Sequence, residues 1–275
     1  MAFLRSCLLL GLIAAVGVFA WAHHNARIDP IVRTARIGYR DWPVGTPPVR
    51  LVVLSDIHMG NESMDPARLR RIVAQVNALH PDLILLAGDY IAGHRAKIAR
   101  EFAPKLVAPL SALRASLGVV AVMGNHDYDT DPRLIAKTLH AAGIRVLANE
   151  AVSRGPLTIA GVDDVFHARQ DVPKTLAAVR RLPGVPIALS HATIRRYLRA
   201  NIALELVGHT HCGQIELGRF GVRNPFTQAN YPCGISTTRD GTTLVTAGVG
   251  TSLIPFRVNA PPDLWLLTIG PAVRR

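Results

Sequence analysis

The chain has 275 residues and a formal net charge of +12, mostly from arginine, with 49% apolar and 5% aromatic residues. That balance excludes a disordered chain and suits one large α/β domain with a well-buried core. Three cysteines, Cys7, Cys212 and Cys233, are too few for a disulfide-built scaffold, and the basic excess favours anionic partners: phosphate-bearing substrates, nucleic acid or a lipid surface.

The first predicted element is apolar. Ser6 to Ala22 carries no charge over 17 residues, and as a helix it would span about 25 Å, slightly less than a ~30 Å hydrocarbon core. It has no polar face to offer solvent as a surface helix of a soluble domain. A retained membrane anchor is favoured over a cleavable signal, for which the "AWA" before His23 supplies a small-x-small site. Arg5 precedes the segment and Arg27, Arg33, Arg36 and Arg40 follow it. The basic-residue rule therefore points to a cytoplasmic domain, although the same arginines suit anionic head groups.

Residues 23–48, with the Pro- and Gly-rich "DWPVGTPPV", form a linker leading into a first strand. From Val49 a βα rhythm sets in. "VRLVVL" is a strand, Asp65-Pro66 caps a helix with Leu69, Ile72, Val73, Val76 and Leu79 at helical spacing, and "PDLILLAGDY" is the next strand. Residues 96–117 read as helical with a break at Pro109. "GVVAVMGNHD" is a third strand, and Asp131-Pro132 opens a helix that ends before Gly143. The second half is richer in strands: "RVLANEAV", "LTIAGVDD", "PIALSHAT", "ALELVGHTH", "TTLVTAGV" and "LWLLTI", with one helix near 173–182. The expected fold class is α/β, with two packed mixed β-sheets flanked by helices, behind an N-terminal transmembrane helix.

Five apolar strands end in residues that bind metals: Asp56 and His58, Asp89, Asn125 and His126, His191, then His209 and His211. Carboxyl ends of strands in α/β sheets line a shared crevice. Side chains at i and i+2 of a strand point the same way, so "DIH" and "HTH" can each aim two ligands at one ion. A single such pair is weak, but five would leave five polar clusters unpartnered beside buried strands if no ion were bound. His23, His24, His80, His94, His140 and His167 are assigned ordinary structural roles.

"SDIHMGN", "LAGDY", "GNHDY", "LSH" and "GHTHCGQ" resemble the successive motifs of the calcineurin-like metallophosphoesterases, over residues 49–269. The apolar anchor, "GVDD" at 161–164 and "GHTH" followed by "GQI" resemble a membrane-associated bacterial subgroup. That subgroup contains phosphodiesterases and a UDP-2,3-diacylglucosamine pyrophosphatase of lipid A synthesis. The resemblance implies a four-layer α/β/β/α sandwich over 49–275, with 1–22 as anchor or signal. It implies two divalent cations (Mn, Fe, Zn or Mg), one held by Asp56, His58 and His211, the other by Asn125, His191 and His209, with Asp89 bridging. A water ionised between such a pair attacks phosphorus. The substrate is then a phosphodiester or pyrophosphate, a nucleotide-lipid among the candidates, and the location is the bacterial inner membrane, or the periplasm or exterior after cleavage.

His126 is left without a metal by this pattern and reads as a catalytic residue that stabilises charge or protonates the leaving group. Asp127 is assigned to hold its tautomer, with a turn or capping role as the alternative. Arg257 is assigned either to a substrate phosphate or to a structural ion pair. Cys212 and Cys233 are either bridged or two free thiols. A nucleic-acid or purely binding role is disfavoured, because basic residues are scattered and aromatics for stacking are few.

Overall fold

The computed structural model describes residues 2–198, 202–216 and 233–272. Two six-stranded sheets carry the fold. The first has the order β1(Ile31–Tyr39), β12(Asp263–Pro271), β2(Val49–Leu54), β3(Leu83–Leu86), β4(Val119–Ala121), β5(Arg145–Val146). The second has the order β10(Gly234–Thr238), β11(Gly241–Val245), β9(Leu204–Val207), β8(Val185–Leu189), β7(Leu157–Gly161), β6(Glu150–Arg154). β2 to β5 run parallel, as do β11, β9, β8 and β7; β12 is antiparallel to β2, and β6 and β10 are antiparallel edges.

The strand period of two sorts side chains into layers. Leu51, Val53, Leu83, Leu85, Val120, Trp265, Leu267 and Ile269 face Leu157, Ile159, Ile187, Leu189, Leu204, Leu206 and Leu244 between the sheets. Val52, Leu54, Ile84, Leu86 and Leu264 point the other way, beneath α2(Pro66–Ala78), α4(Pro104–Leu110) and α6(Pro132–Ala141). Ala160, Val162 and Ala188 pack with Val172 of α7(Val172–Val179) and Leu198 of α8(Arg195–Leu198). Helix, sheet, sheet and helix therefore stack as expected, and the near-continuous apolar runs follow from burial on both faces.

Three helices start on an aspartate that accepts from the backbone three residues on: Asp65 from Arg68 N at 2.8 Å, Asp131 from Leu134 N at 3.0 Å, and Asp171 from Lys174 N at 2.9 Å. Each also has proline in its first turn, where the missing N–H costs nothing. The expected helix over 96–117 is instead two short ones, α3(Ala96–Phe102) and α4, followed by a turn. The break falls at Pro104, which cannot donate to the preceding turn, while Pro109 is accommodated inside α4.

α1(Ala2–Arg27) is a single helix. Its most apolar stretch buries nothing against the fold, and by length and composition the helix is able to cross a membrane. Its last turns do pack: Ala22 and Ala26 are buried, and the buried Arg68 guanidinium donates to Arg27 O, Ile28 O, Ser63 O and Val249 O. β1 follows after three residues and pairs with β12 from Ile31↔Asp263 to Tyr39↔Pro271.

Truncating Ile187, fully buried between the sheets, should cost about 2–5 kcal/mol by removing transfer free energy and leaving a cavity. A lowered urea midpoint of Ile187→Ala checks this.

Candidate active site

The carboxyl ends of β2, β3 and β4 in one sheet, and of β8 and β9 in the other, open onto the same rim. After β2, β3 and β9 the backbone enters the left-handed region. Asp56, His58, Asp89, His209 and His211 all have positive φ, between 50° and 68°. Non-glycine residues avoid that region, and clusters of such strain mark functional sites. The turns aim these side chains back across the sheet ends. They also need space that only glycine leaves. A Cβ on Gly248 would lie 2.5 Å from Asp56 Cβ, and one on Gly88 would lie 2.7 Å from Gly124 N.

The side chains form one connected row. His211 Nε2 lies 3.3 Å from Asp56 Oδ1 and 3.0 Å from His58 Nε2. His58 Nε2 lies 3.5 Å from Asp89 Oδ2, and the same oxygen lies 3.2 Å from His191 Nε2. Asp89 thus stands between two groups of nitrogens. The His209 ring is 5.1 Å from that of His191, and His209 Nδ1 is 3.1 Å from Asn125 Oδ1. All seven residues expected as metal ligands converge here. Two sets of their donor atoms lie within 4.8 Å of one another, Asp56, His58 and His211, and Asp56, Asp89 and His191, and a third set joins His58 and Asp89 to His126.

Asp56, His58, Asp89 and His191 are buried to within 1%, so their charges are costly without a counter-ion. Burial raises the Asp56 carboxyl to about 7, while Asp89 is driven low because the imidazoles of His191 and His58 outweigh its burial. Burial lowers His58 and His209 to about 3, and His211 well below its ordinary value. His191 moves the other way, to about 10: burial opposes it, but the Asp89 charge prevails. Three imidazoles are therefore neutral at pH 7, with lone pairs available. His58 Nδ1, His191 Nε2 and His209 Nε2 are buried with no hydrogen-bond partner. Carboxylate, imidazole and amide donors with orphaned ring nitrogens fit divalent cations of the Mn, Fe or Zn kind. The second ring nitrogen of His191 donates to Ala87 O at 2.7 Å, which fixes its tautomer.

His126 adjoins this row, its ring 5.0 Å from that of His58. Its Nδ1 donates to Gly93 O at 2.9 Å, and its Nε2 faces Ser252 Oγ at 3.4 Å. The backbone carbonyl of Gly93, not Asp127, orients the ring. Asp127 is occupied elsewhere: its Oδ2 accepts from Asp89 N and Gly124 N, both at 2.9 Å, and its Oδ1 from Tyr90 N at 2.9 Å and Ile91 N at 3.3 Å. Four N–H donors saturate the carboxylate, so it acts through the Asp89 backbone. The structure thus corrects the tautomer-holding role assigned to Asp127.

Two histidines given ordinary roles lie at the rim. His94 Nδ1 donates to Asp129 Oδ2 at 2.8 Å, and its ring is 4.5 Å from that of His126. His167 is gripped on both sides, by Asp164 Oδ2 at 2.6 Å and Asp129 Oδ1 at 3.0 Å. Next to it, Phe166 lies against the His209 ring, 4.4 Å between centroids. Only the nearby "GVDD" motif hinted at this segment. Arg257 is fully buried and makes neither a carboxylate pair nor an outward contact; it donates to the carbonyls of Ala247, Gly250 and Ala260, with Nη2 3.3 Å from His211 Nδ1. Neither expectation for it holds. Cys212, directly after His211, is joined to Cys233 in a disulfide.

His167 gives a pH test. Partial burial pulls its pKa down, but the hydrogen bonds to Asp164 and Asp129 outweigh that and raise it. Its grip on the 163–169 segment is therefore complete below the unfolded value, about 6.5, and fades as pH rises through the raised one. An NMR titration should place the His167 midpoint above that of a free imidazole, and Asp164→Asn should lower it.

Comparison with known proteins agrees with this geometry. The profile of the calcineurin-like phosphoesterases matches residues 49–213. The chain is 32% identical to a transmembrane protein with metallophosphoesterase domain from Danio rerio, across 95% of this chain and 62% of that protein, so it spans about three fifths of that relative's length. It is 30% identical to a metallophosphoesterase from Aquifex aeolicus, across 82% of this chain and 87% of that one. Among solved structures, a 5'-nucleotidase precursor from Thermus thermophilus aligns with a TM-score of 0.49 and 16% identity, over 80% of this chain and 55% of that one. From its motifs, their convergence and the profile and relatives it matches, the chain belongs to the calcineurin-like phosphoesterase family.

Proposed function

We propose that this chain is a membrane-tethered, dinuclear metal-dependent phosphoesterase that hydrolyses phosphodiester or pyrophosphate bonds. The observation that carries the reading is the row Asp56–His211–His58–Asp89–His191, whose neighbouring polar atoms lie 3.0–3.5 Å apart, with one Asp89 oxygen between two groups of nitrogens. Asp56, His58 and His211 would hold one cation, Asn125, His191 and His209 the other, and Asp89 both. Such a pair supplies a water ionised near neutral pH and neutralises charge on the phosphoryl oxygens.

The chain's own groups do the rest. Gly93 O holds the His126 Nδ1 proton, which leaves Nε2 to face the reacting centre; as imidazolium it donates to the leaving oxygen. Asp127 fixes the backbone on which Asp89 sits, and His126 N donates to Asp89 Oδ1 at 2.9 Å, which sets the angle of that carboxylate. The full chain in detergent with Mn should hydrolyse bis-(p-nitrophenyl) phosphate. Asp89→Asn should lose about 10³-fold or more of that rate, whereas His126→Ala should lose about 10²–10⁴-fold yet keep its metal content. Turnover that survives both Asp89→Asn and EDTA refutes the reading.

The same inference places α1 as a retained anchor. The helix runs unbroken through the "AWA" segment to Arg27, and its last turns are gripped by Arg68; a signal peptidase needs an accessible extended segment there. The Cys212–Cys233 disulfide supports a domain on the oxidising side of the membrane. The arginines after the segment pull toward the cytoplasm, but long domains translocate largely regardless of charge. Intact mass of the membrane-extracted protein should include residues 1–22, and non-reducing alkylation should label Cys7 alone. A UDP-2,3-diacylglucosamine pyrophosphatase is the narrower alternative, favoured by the anchor and the arginine excess. Rescue of a strain lacking its own pyrophosphatase tests it.

A further inference from the structure

We infer that the loop from Ser252 to Phe256 is a bilayer-contact element that holds the active-site mouth at the level of lipid phosphates, so that the substrate is a phosphoester carried on a membrane lipid. This rests on the phosphoesterase reading and specifies its substrate class.

The loop links the active-site row to the end of α1. At one end Ser252 Oγ lies 3.4 Å from His126 Nε2. At the other, the Phe256 ring stands edge-on to Phe19 of α1, 5.6 Å between centroids, and lies 6.0 Å from His23. The next residue continues the joint: Arg257 N donates to Ala22 O, and Asn25 Nδ2 donates to Arg257 O, both at 3.0 Å. Ser252 and Phe256 are four Cα–Cα steps apart, a reach of at most about 14 Å.

Phe19 fixes the depth. It lies three residues inside the uncharged segment that ends at Ala22, about 5 Å along the helix axis. A ring packed on Phe19 is therefore at or just below the edge of the hydrocarbon. Interfacial layers are about 5–8 Å thick on each side, so a site one short loop away stands at phosphate height.

Between these ends the loop shows solvent two aliphatic side chains, Leu253 at 75% and Ile254 at 45% exposure. They are held out rather than left loose. Gln214 Nε2 donates to Ser252 O at 3.1 Å and Ile254 O at 3.0 Å, while its Oε1 accepts from Ser252 N at 2.8 Å. Leu253 is kept at φ 59°, an unfavourable value for a branched side chain. A braced backbone presents Leu253 and Ile254 within three residues of Phe256, which packs on Phe19 of the exposed apolar helix α1, itself 63% exposed. Apolar side chains beside an anchoring helix insert into the head-group region.

The test uses the full chain in nanodiscs of phosphatidylethanolamine and phosphatidylglycerol. Two phosphodiesters with the same leaving group are compared: water-soluble bis-(p-nitrophenyl) phosphate, and a diacyl phosphatidyl-p-nitrophenol in the disc. The double variant Leu253→Asp, Ile254→Asp should keep the soluble rate within about two-fold while the lipid rate falls about ten-fold or more. A separate Leu253→Trp variant should show fluorescence quenched by brominated acyl chains beyond that of the parent protein. Equal loss on both substrates, an unchanged lipid rate, no turnover of the lipid by the parent protein, or no added quenching each overturns the inference. Absence of turnover on both substrates by the parent protein instead refutes the phosphoesterase reading, and the quenching experiment still decides the loop's place.

Discussion

The site depends on one buried carboxylate that touches no expected substrate atom. Asp127 gathers the N–H groups of Asp89, Tyr90, Ile91 and Gly124. Those donors come from the segments after β3 and β4, which would otherwise part at the sheet edge with their backbone polar groups unsatisfied. Burial and the neighbouring Asp89 push its carboxyl up in pKa, and donation from Gly124 and Tyr90 opposes them. Holding the Asp89 backbone at φ 59° is what these hydrogen bonds accomplish, and Asp89 in turn stands between the two groups of imidazoles.

Much of this was legible because strand burial and turn chemistry are local. Apolar runs ending in Asp, His or Asn located the strands of both sheets and the rim where they meet, and Asp-Pro pairs located two helix starts. The helix break went astray because Pro104 and Pro109 look alike in sequence, and only the hydrogen-bond ladder says which one interrupts it.

What the sequence hid were contacts made by backbone atoms and by residues far apart along the chain. Nothing in the "GNHD" motif says that Gly93 O, 33 residues earlier, orients His126 while the adjacent Asp127 turns away. Arg257 looked like a phosphate ligand or an ion-pair partner because its charge was visible and the five carbonyls around it were not. His94 and His167 reach the rim through Asp129, a partner no spacing rule links to either. Positive φ at five of the candidate ligands is likewise a property of the folded turns. Glycines at 88, 124, 208 and 248 were its one trace in the sequence: each lies where a Cβ would strike Asp56, Asp89, Ser55 or the backbone of Gly124.

The pairing of β1 with β12 has a consequence for synthesis. β12 lies between β1 and β2 in the sheet, and nine residue pairs plus the Arg33–Asp263 bridge, at 2.7 Å, bind β1 to it. Among the described strands β1 is made first, and it has no partner in its sheet until β12 emerges, more than 200 residues later. At 5–20 residues per second that wait is about ten to fifty seconds. For that interval β1 is an unpartnered edge immediately after the apolar helix α1, so the first sheet can close only once β12 has been made.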